Sequence, residues 1–257
     1  QAGLSQHQDA QNSYTQAISS CDEVLSRAPD YILAHGNKGN ALQSLGDLQA
    51  GLFQHQDAQN SYTQAIEYYN QALEIAPDFI LAHGNKGNAL LSLGELQAGL
   101  SQHKDAQNLY TQAISSCDEV LSRAPDHILA HNNKGNALLS LGDLQAGLSQ
   151  HQDAQNSYTQ AISSCDEVLS RAPDYIYAHG NKGLALQSLG KLQAGLSQHQ
   201  DAQNSYTQAI SSCDEVLSRA PDYIYAHGNK GLALQSLGKL QAGLSQHQDA
   251  QNSYTQA

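Results

Sequence analysis

Methionine and tryptophan are absent from this 257-residue chain, and phenylalanine occurs only twice. A thick globular interior would therefore lack several of its usual large fillers. The apolar content is mostly Ala and Leu with 13 Tyr, diluted by Gln, Ser, Asn and Gly. Such residues suit long helices that touch their neighbours along thin stripes. Basic runs are absent too. The net charge is −12, spread without blocks, which disfavours nucleic acid and anionic membrane as partners. No apolar run approaches the ~20 residues of a membrane helix. Neither a signal-peptide pattern nor an initiator Met is present, and residue 1 already lies inside the pattern described next, so the chain reads as a piece of a longer protein.

That pattern is a repeat. The segment QAGL(S/F)QH recurs at Gln1, Gln49, Gln97, Gln145, Gln193 and Gln241, always 48 residues apart. Residues 145–192 and 193–240 are identical, and 241–257 copy 1–17. The chain divides into units 1–48, 49–96, 97–144, 145–192 and 193–240 with a partial unit 241–257, all in one array. A fixed period of this size implies a solenoid in which each unit buries its apolar stripe against the next.

Each unit reads as two helices. Pro29, Pro77, Pro125, Pro173 and Pro221 mark one break, and the Asp that follows each (Asp30 in the first) suits the N-cap of the next helix. From Tyr31 the positions Ala34, Gly39, Leu42 and Leu45 keep roughly helical spacing. A second run, Leu52, His55, Ala58, Tyr62, Ala65, Tyr69, Ala72 and Ile75, alternates by three and four up to Pro77. Strand signals are absent, and the fold class is all-α.

The stretch 35–77 resembles the tetratricopeptide repeat family: His35, Gly39, Leu42, Leu45-Gly46-Asp47, Ala65, Tyr69, Ala72-Leu73 and Pro77 fall on that family's spaced positions. The resemblance covers the whole chain and implies a right-handed superhelical solenoid of antiparallel helix hairpins that binds protein or extended peptide on its concave face. Two departures stand out. The family's usual unit is about 34 residues, so roughly 14 are extra here. The first-helix aromatic is replaced by His35, His83, His131, His179 and His227. Roughly 14 residues make nearly four turns, which keeps the apolar face in register. Either the second helix takes all of it, reaching ~28 residues and ~42 Å, or each helix gains a heptad and the turn moves to about Gly51-Leu52-Phe53. Under the second placement Gly46 lies inside a helix, at about 1 kcal/mol relative to Ala.

Chemistry-bearing residues recur too evenly to single out a catalytic centre, and no enzyme activity is expected. Cys21, Cys117, Cys165 and Cys213 share the slot that holds Tyr69 in the second unit. They read as small buried residues, their free thiols suiting a reducing, cytoplasmic location. Eleven of the 12 His form two ladders with rungs one repeat apart, too far apart for one zinc centre. His127 and His131 are placed to share a helix face, but two imidazoles fall short of a zinc site. No metal or cofactor is expected.

The resemblance places Leu33, Gly36, Asn37, Asn40, Gln43 and Ser44 and their equivalents on the groove face. Asn37, Asn85, Asn133, Asn181 and Asn229 then form one ladder. Asn40, Asn88 and Asn136 form a second, interrupted by Leu184 and Leu232. A carboxamide both donates and accepts, so it bonds a peptide backbone whatever its sequence. Gly36, Gly84, Gly180 and Gly228, with Asn132, stand where some members carry the Lys of a carboxylate clamp, which argues against that ligand. Tyr177 and Tyr225 replace Leu33, so a side-chain pocket is expected near Tyr177, Leu184, Tyr225 and Leu232. The alternative role is a structural spacer or an array that self-associates through its ends.

Overall fold

The computed structural model describes residues 2–257, with side chains from Gln6 onward; Gln1, the start of the first repeat, lies outside the described residues. Those residues form eleven α-helices and no strand. They are α1 (Ala2–Arg27), α2 (Ile32–Gly51), α3 (His55–Ile75), α4 (Ile80–Gly99), α5 (His103–Arg123), α6 (Ile128–Gly147), α7 (His151–Arg171), α8 (Ile176–Gly195), α9 (His199–Arg219), α10 (Ile224–Gly243) and α11 (His247–Gln256). The chain forms two compact units, Gln1–Asn133 and Lys134–Ala257. Inside the first, α2 packs most extensively on α3 and α4 on α5; inside the second, α8 packs most extensively on α9.

The extra length is divided between both helices. First helices have 20 residues and complete second helices after α1 have 21. The turn between them falls at Leu52-Phe53-Gln54, and Gly46 sits inside α2. That turn closes α2 with two crossed bonds. Gln54 N–H donates to Gln49 C=O (2.9 Å) and Phe53 N–H to Ala50 C=O (3.0 Å), the Schellman pattern. The residue between the bonds must adopt left-handed φ, yet it is Phe53, Ser101, Ser149, Ser197 or Ser245, with φ of 60–62°. Gly would be unstrained there.

The opposite turn differs from the sequence expectation. Ala28-Pro29-Asp30-Tyr31 is a turn closed by Tyr31 N–H to Ala28 C=O (3.1 Å), and α2 begins only at Ile32. Asp30 therefore does not cap it; Tyr31 holds the N-cap position and makes no side-chain cap bond. The turn's own bond uses the residue after Asp30, which delays the helix by one position. A ring nitrogen fastens this turn instead. His35 Nε2 lies 2.6 Å from Pro29 C=O, and the His83–Pro77, His131–Pro125, His179–Pro173 and His227–Pro221 pairs repeat the contact at 2.7–2.9 Å. His127 does not share a helix face with His131: its Nδ1 accepts from Ala130 N–H (3.1 Å) just before α6.

Between neighbouring helices the core repeats one arrangement. Ala58 and Tyr62 of α3 meet Leu93 of α4; Ala154 and Tyr158 of α7 meet Leu189 of α8; Ala202 and Tyr206 of α9 meet Leu237 of α10. Each Tyr ring lies on a glycine of the preceding helix. A Cβ at Gly46 would come within 2.7 Å of Tyr62 Cε1, and one at Gly142 within 2.7 Å of Tyr158 Cδ1. Burying one such ring removes 150–250 Å² from water, on the order of 4 kcal/mol before entropy. The glycine's propensity loss of about 1 kcal/mol is small beside it. The tyrosine hydroxyl stays satisfied: Tyr62 donates to Asp47 (2.8 Å) and Tyr158 to Asp143 (2.7 Å). Beside it Ser61, Ser157 and Ser205 donate to buried Gln49, Gln145 and Gln193 at 2.7 Å. Where Leu109 replaces that serine, buried Gln97 keeps an unpaired Oε1.

Candidate protein-binding face

The first helices α2, α4, α6, α8 and α10 carry the two Asn rows. In the first unit Asn37 and Asn40 are exposed, while Asn85, Asn88 and Asn133 are partly buried. Asn40 is engaged within the fold. Its Oδ1 accepts from the Tyr69 hydroxyl (2.8 Å) and from Asn85 Nδ2 (2.8 Å), with Gln43 Oε1 3.2 Å from the same hydroxyl. Asn40 and Asn85, one rung of each ladder, are thus tied together beside the Tyr69 hydroxyl. Tyr69 occupies the slot that is Cys in the other units, so this tie arises from one substitution.

In the second unit Asn136, Asn181, Leu184 and Asn229 are partly buried. A hollow of about 330 Å³ opens there between α8 and α10. Tyr177, Leu184, Tyr225, Asn181 and Asn229 line it, with Tyr223. Leu232, expected with them, is not in the lining; it is 54% exposed. Tyr177 and Tyr225 are 64% and 74% exposed, large apolar surfaces offered to solvent. Each leans on a second ring two residues earlier: Tyr175–Tyr177 and Tyr223–Tyr225 have centroids 5.7 Å apart, tilted. The Tyr-Ile-Tyr spacing at the start of α8 and of α10 was the signal for the inner ring, which the sequence reading did not use.

Second-helix residues form the hollow's inner wall. Cys213 and Val216 reach it from α9, both buried. Burial, reinforced by the charge of Asp214, pushes the Cys213 thiol up to about 11, so it stays neutral. Burial with Asp166 pushes Cys165 up to about 12. All four cysteines are free; Cys117, Cys165 and Cys213 are buried, and Cys21 is partly exposed. The hollow therefore offers aromatic faces, an aliphatic wall and two carboxamides, a set whose chemistry suits an apolar side chain with a polar backbone beside it. Among the described residues no group of three His, Cys, Asp or Glu is placed to hold a metal ion. No described helix is long and apolar enough to cross a membrane.

Comparison with known proteins agrees with this architecture. Tetratricopeptide repeat models match residues 53–119 and 99–154. No curated protein sequence matches the chain. The crystal structure of BtubC (BKLC) from P. vanneervenii is similar over 96% of this chain and 87% of its own, at 13% identity and TM-score 0.71. That of aspartyl phosphate phosphatase F from Bacillus subtilis is similar over 99% of this chain and 70% of its own, at 13% identity and TM-score 0.58. At that identity the likeness concerns the fold. Repeat models and hairpin architecture together define a helical-repeat scaffold of the kind that engages other proteins. Residues 53–154 carry tetratricopeptide repeats, in a form whose 48-residue unit recurs along the chain. Proteins of this family are in general non-enzymatic scaffolds.

Proposed function

We propose that the chain binds an extended segment of a protein partner along the concave, Asn-bearing face of its first helices, with one side chain of that segment seated in the hollow at Tyr177 and Tyr225. The observation that carries this reading is the hollow itself, with exposed aromatic rims, an apolar wall, and Asn181 and Asn229 beside it. Tyrosine supplies large contact area for few rotors, and a carboxamide bonds a peptide backbone in either direction. Asn136 carries the same carboxamide chemistry elsewhere in the second unit, and Asn37, Asn88 and Asn133 carry it in the first. Asn40 and Asn85 contribute less, because they already bond each other. The scaffold performs no catalysis in this reading, takes no nucleic acid, and works in the cytoplasm, where its free thiols stay reduced.

The test selects binding peptides from a random display library on the full chain and measures them by fluorescence polarisation. Tyr177→Ala with Tyr225→Ala is expected to weaken binding at least tenfold, the loss of one to two hot-spot anchors at about 2 kcal/mol each. Asn181→Ala with Asn229→Ala should weaken it severalfold for every selected sequence. Unchanged affinity in both double variants, with the helical content intact, refutes the site.

A further inference from the structure

One first helix holds a lysine that has lost the partners its equivalents have. In three places a first-helix lysine is paired with an aspartate of the preceding helix: Lys38 with Asp22, Lys182 with Asp166 at 2.6 Å, and Lys230 with Asp214 at 2.6 Å. Lys38 gains a second partner in Tyr68, whose hydroxyl lies 2.5 Å from Nζ and whose ring centroid lies 4.1 Å away. The equivalent lysine on α4 is Lys86. Position 70 is Asn where the others have Asp, and position 116 is Ser where Tyr68 serves Lys38. Lys86 is partly buried, and among the described residues it has no ion pair or hydrogen bond. Burial lowers its pKa from the ordinary lysine value, whereas in Lys38 burial is outweighed by the bonds to Asp22 and Tyr68.

Space stands where those partners would be. A hollow of about 150 Å³ is lined by Lys86, His83, Gln112, Ser115, Ser116 and Glu119. A second, of about 460 Å³, shares Lys86, His83 and Glu119 and adds Asn70, Glu74 and Arg123 among its walls. All of them belong to the first compact unit. Glu119 is already neutralised by Arg123, whose Nη1 lies 2.6 Å from its Oε2. The hydrogen bond and charge of that guanidinium hold the Glu119 carboxyl below its ordinary value. Glu74 stands on the wall of the larger hollow without an ion pair to Lys86 and is the one free opposing charge there.

We propose that the Lys86 hollow, between α3, α4 and α5, receives the carboxylate of an Asp or Glu side chain from a protein partner. The incoming group takes the place that Asp166 and Asp214 occupy beside Lys182 and Lys230. The side-chain amides of Gln112 and Asn70 offer further donors to its oxygens, while the Ser116 hydroxyl already donates to the Gln112 backbone carbonyl at 3.0 Å. This subsite lies in the other compact unit from the Tyr177–Tyr225 hollow and stands or falls independently of it.

The test uses the full chain with isotope-labelled lysine and follows the Lys86 side-chain NMR signal. Two blocked tripeptides, acetyl-Ala-Glu-Ala-amide and acetyl-Ala-Gln-Ala-amide, are titrated in parallel with sodium acetate. The Glu peptide is expected to shift the Lys86 signal saturably, and the Gln peptide is not. Asn70→Asp, which copies the residue of the sister repeats and so is compatible with the fold, should weaken the Glu response at least fivefold. Glu74→Gln should strengthen it about twofold or more. Equal responses to the Glu and Gln peptides overturn the proposal, as does an Asn70→Asp variant that binds the Glu peptide unchanged. Acetate binding as tightly as the peptide also overturns it, because the hollow is then a general anion hole and not a subsite for a protein chain.

Discussion

Two glycines of one helix should respond differently to alanine, one with a gain in stability and the other with none. In α4, Gly84 has open space where a Cβ would stand, with no atom within 4 Å. At Gly94 the same atom would lie 2.7 Å from Tyr110 Cε1, 2.8 Å from Cδ1 and 3.4 Å from Leu109 Cβ. Carbon atoms rest at about 3.5–4.0 Å, so the ring must retreat by roughly 0.8 Å or more. Tyr110 is only 3% exposed, which leaves it little room to do so. Both variants gain the helix propensity of alanine, about 1 kcal/mol. Gly94→Ala adds an overpacking cost of about 1–3 kcal/mol, so it is expected to be neutral to destabilising by about 2 kcal/mol. Gly84→Ala is expected to stabilise by about 1 kcal/mol. Urea denaturation reads the pair. Because repeat arrays lose all-or-none unfolding, amide hydrogen exchange across α4 and α5 should accompany it. If Gly94→Ala stabilises as much as Gly84→Ala, the tyrosine-on-glycine account of the core is wrong.

Other positions give independent checks. Ser149→Gly relieves a left-handed residue with φ 60° and should raise stability by about 1 kcal/mol; a lower denaturation midpoint counts against the strain. Lys38→Met should destabilise by roughly 1–3 kcal/mol through the lost charged hydrogen bonds, while Lys86→Met should be neutral or stabilising. Their pH dependences oppose each other. The Lys38 contribution is complete below the ordinary lysine pKa and vanishes as pH rises through its raised value, whereas the Lys86 penalty holds at neutral pH and fades as pH climbs from its lowered value to the ordinary one. In native protein at pH 8, Cys21 should react first with a thiol reagent and Cys165 far more slowly; comparable rates would refute the burial that raises the Cys165 thiol to about 12.

The sequence carried the repeat, the helix stripes and the Ala–Tyr core positions openly, because each is a periodic feature and periodicity survives dilution by Gln and Ser. It left open which helix took the extra turns, since a heptad added to one or to both preserves the same stripe. Gly46 pulled the reading toward a turn, and only the ring of Tyr62 against it explains why a glycine stands mid-helix. Asp30 invited a cap assignment, but the turn bond from Tyr31 to Ala28 moved the helix start past it. His127 misled for a related reason, its spacing from His131 matching one helical turn although it stands outside the helix. Tyr177, Leu184 and Tyr225 stood out in the sequence because they break the repeat, and all three line the hollow proposed as a binding site. The engagement of Asn40 by Tyr69 did not stand out, because it depends on how far a hydroxyl reaches between helices. Lys86 was invisible for the same reason, its distinctness lying in residues 70 and 116, far from it in sequence.

The duplicate units at 145–192 and 193–240 have a practical corollary. Since 241–257 also begins the same motif, excising residues 193–240 would join Leu192 to Gln241 and recreate the junction that Leu192 already makes with Gln193. Every contact at the new seam, the glycine seat for the tyrosine ring included, would be chemically the old one. Inserting a further copy of the same unit would repeat interfaces the array already makes and add one more first helix of the same sequence. Reach is thus a quantity this molecule can vary without redesigning its interior.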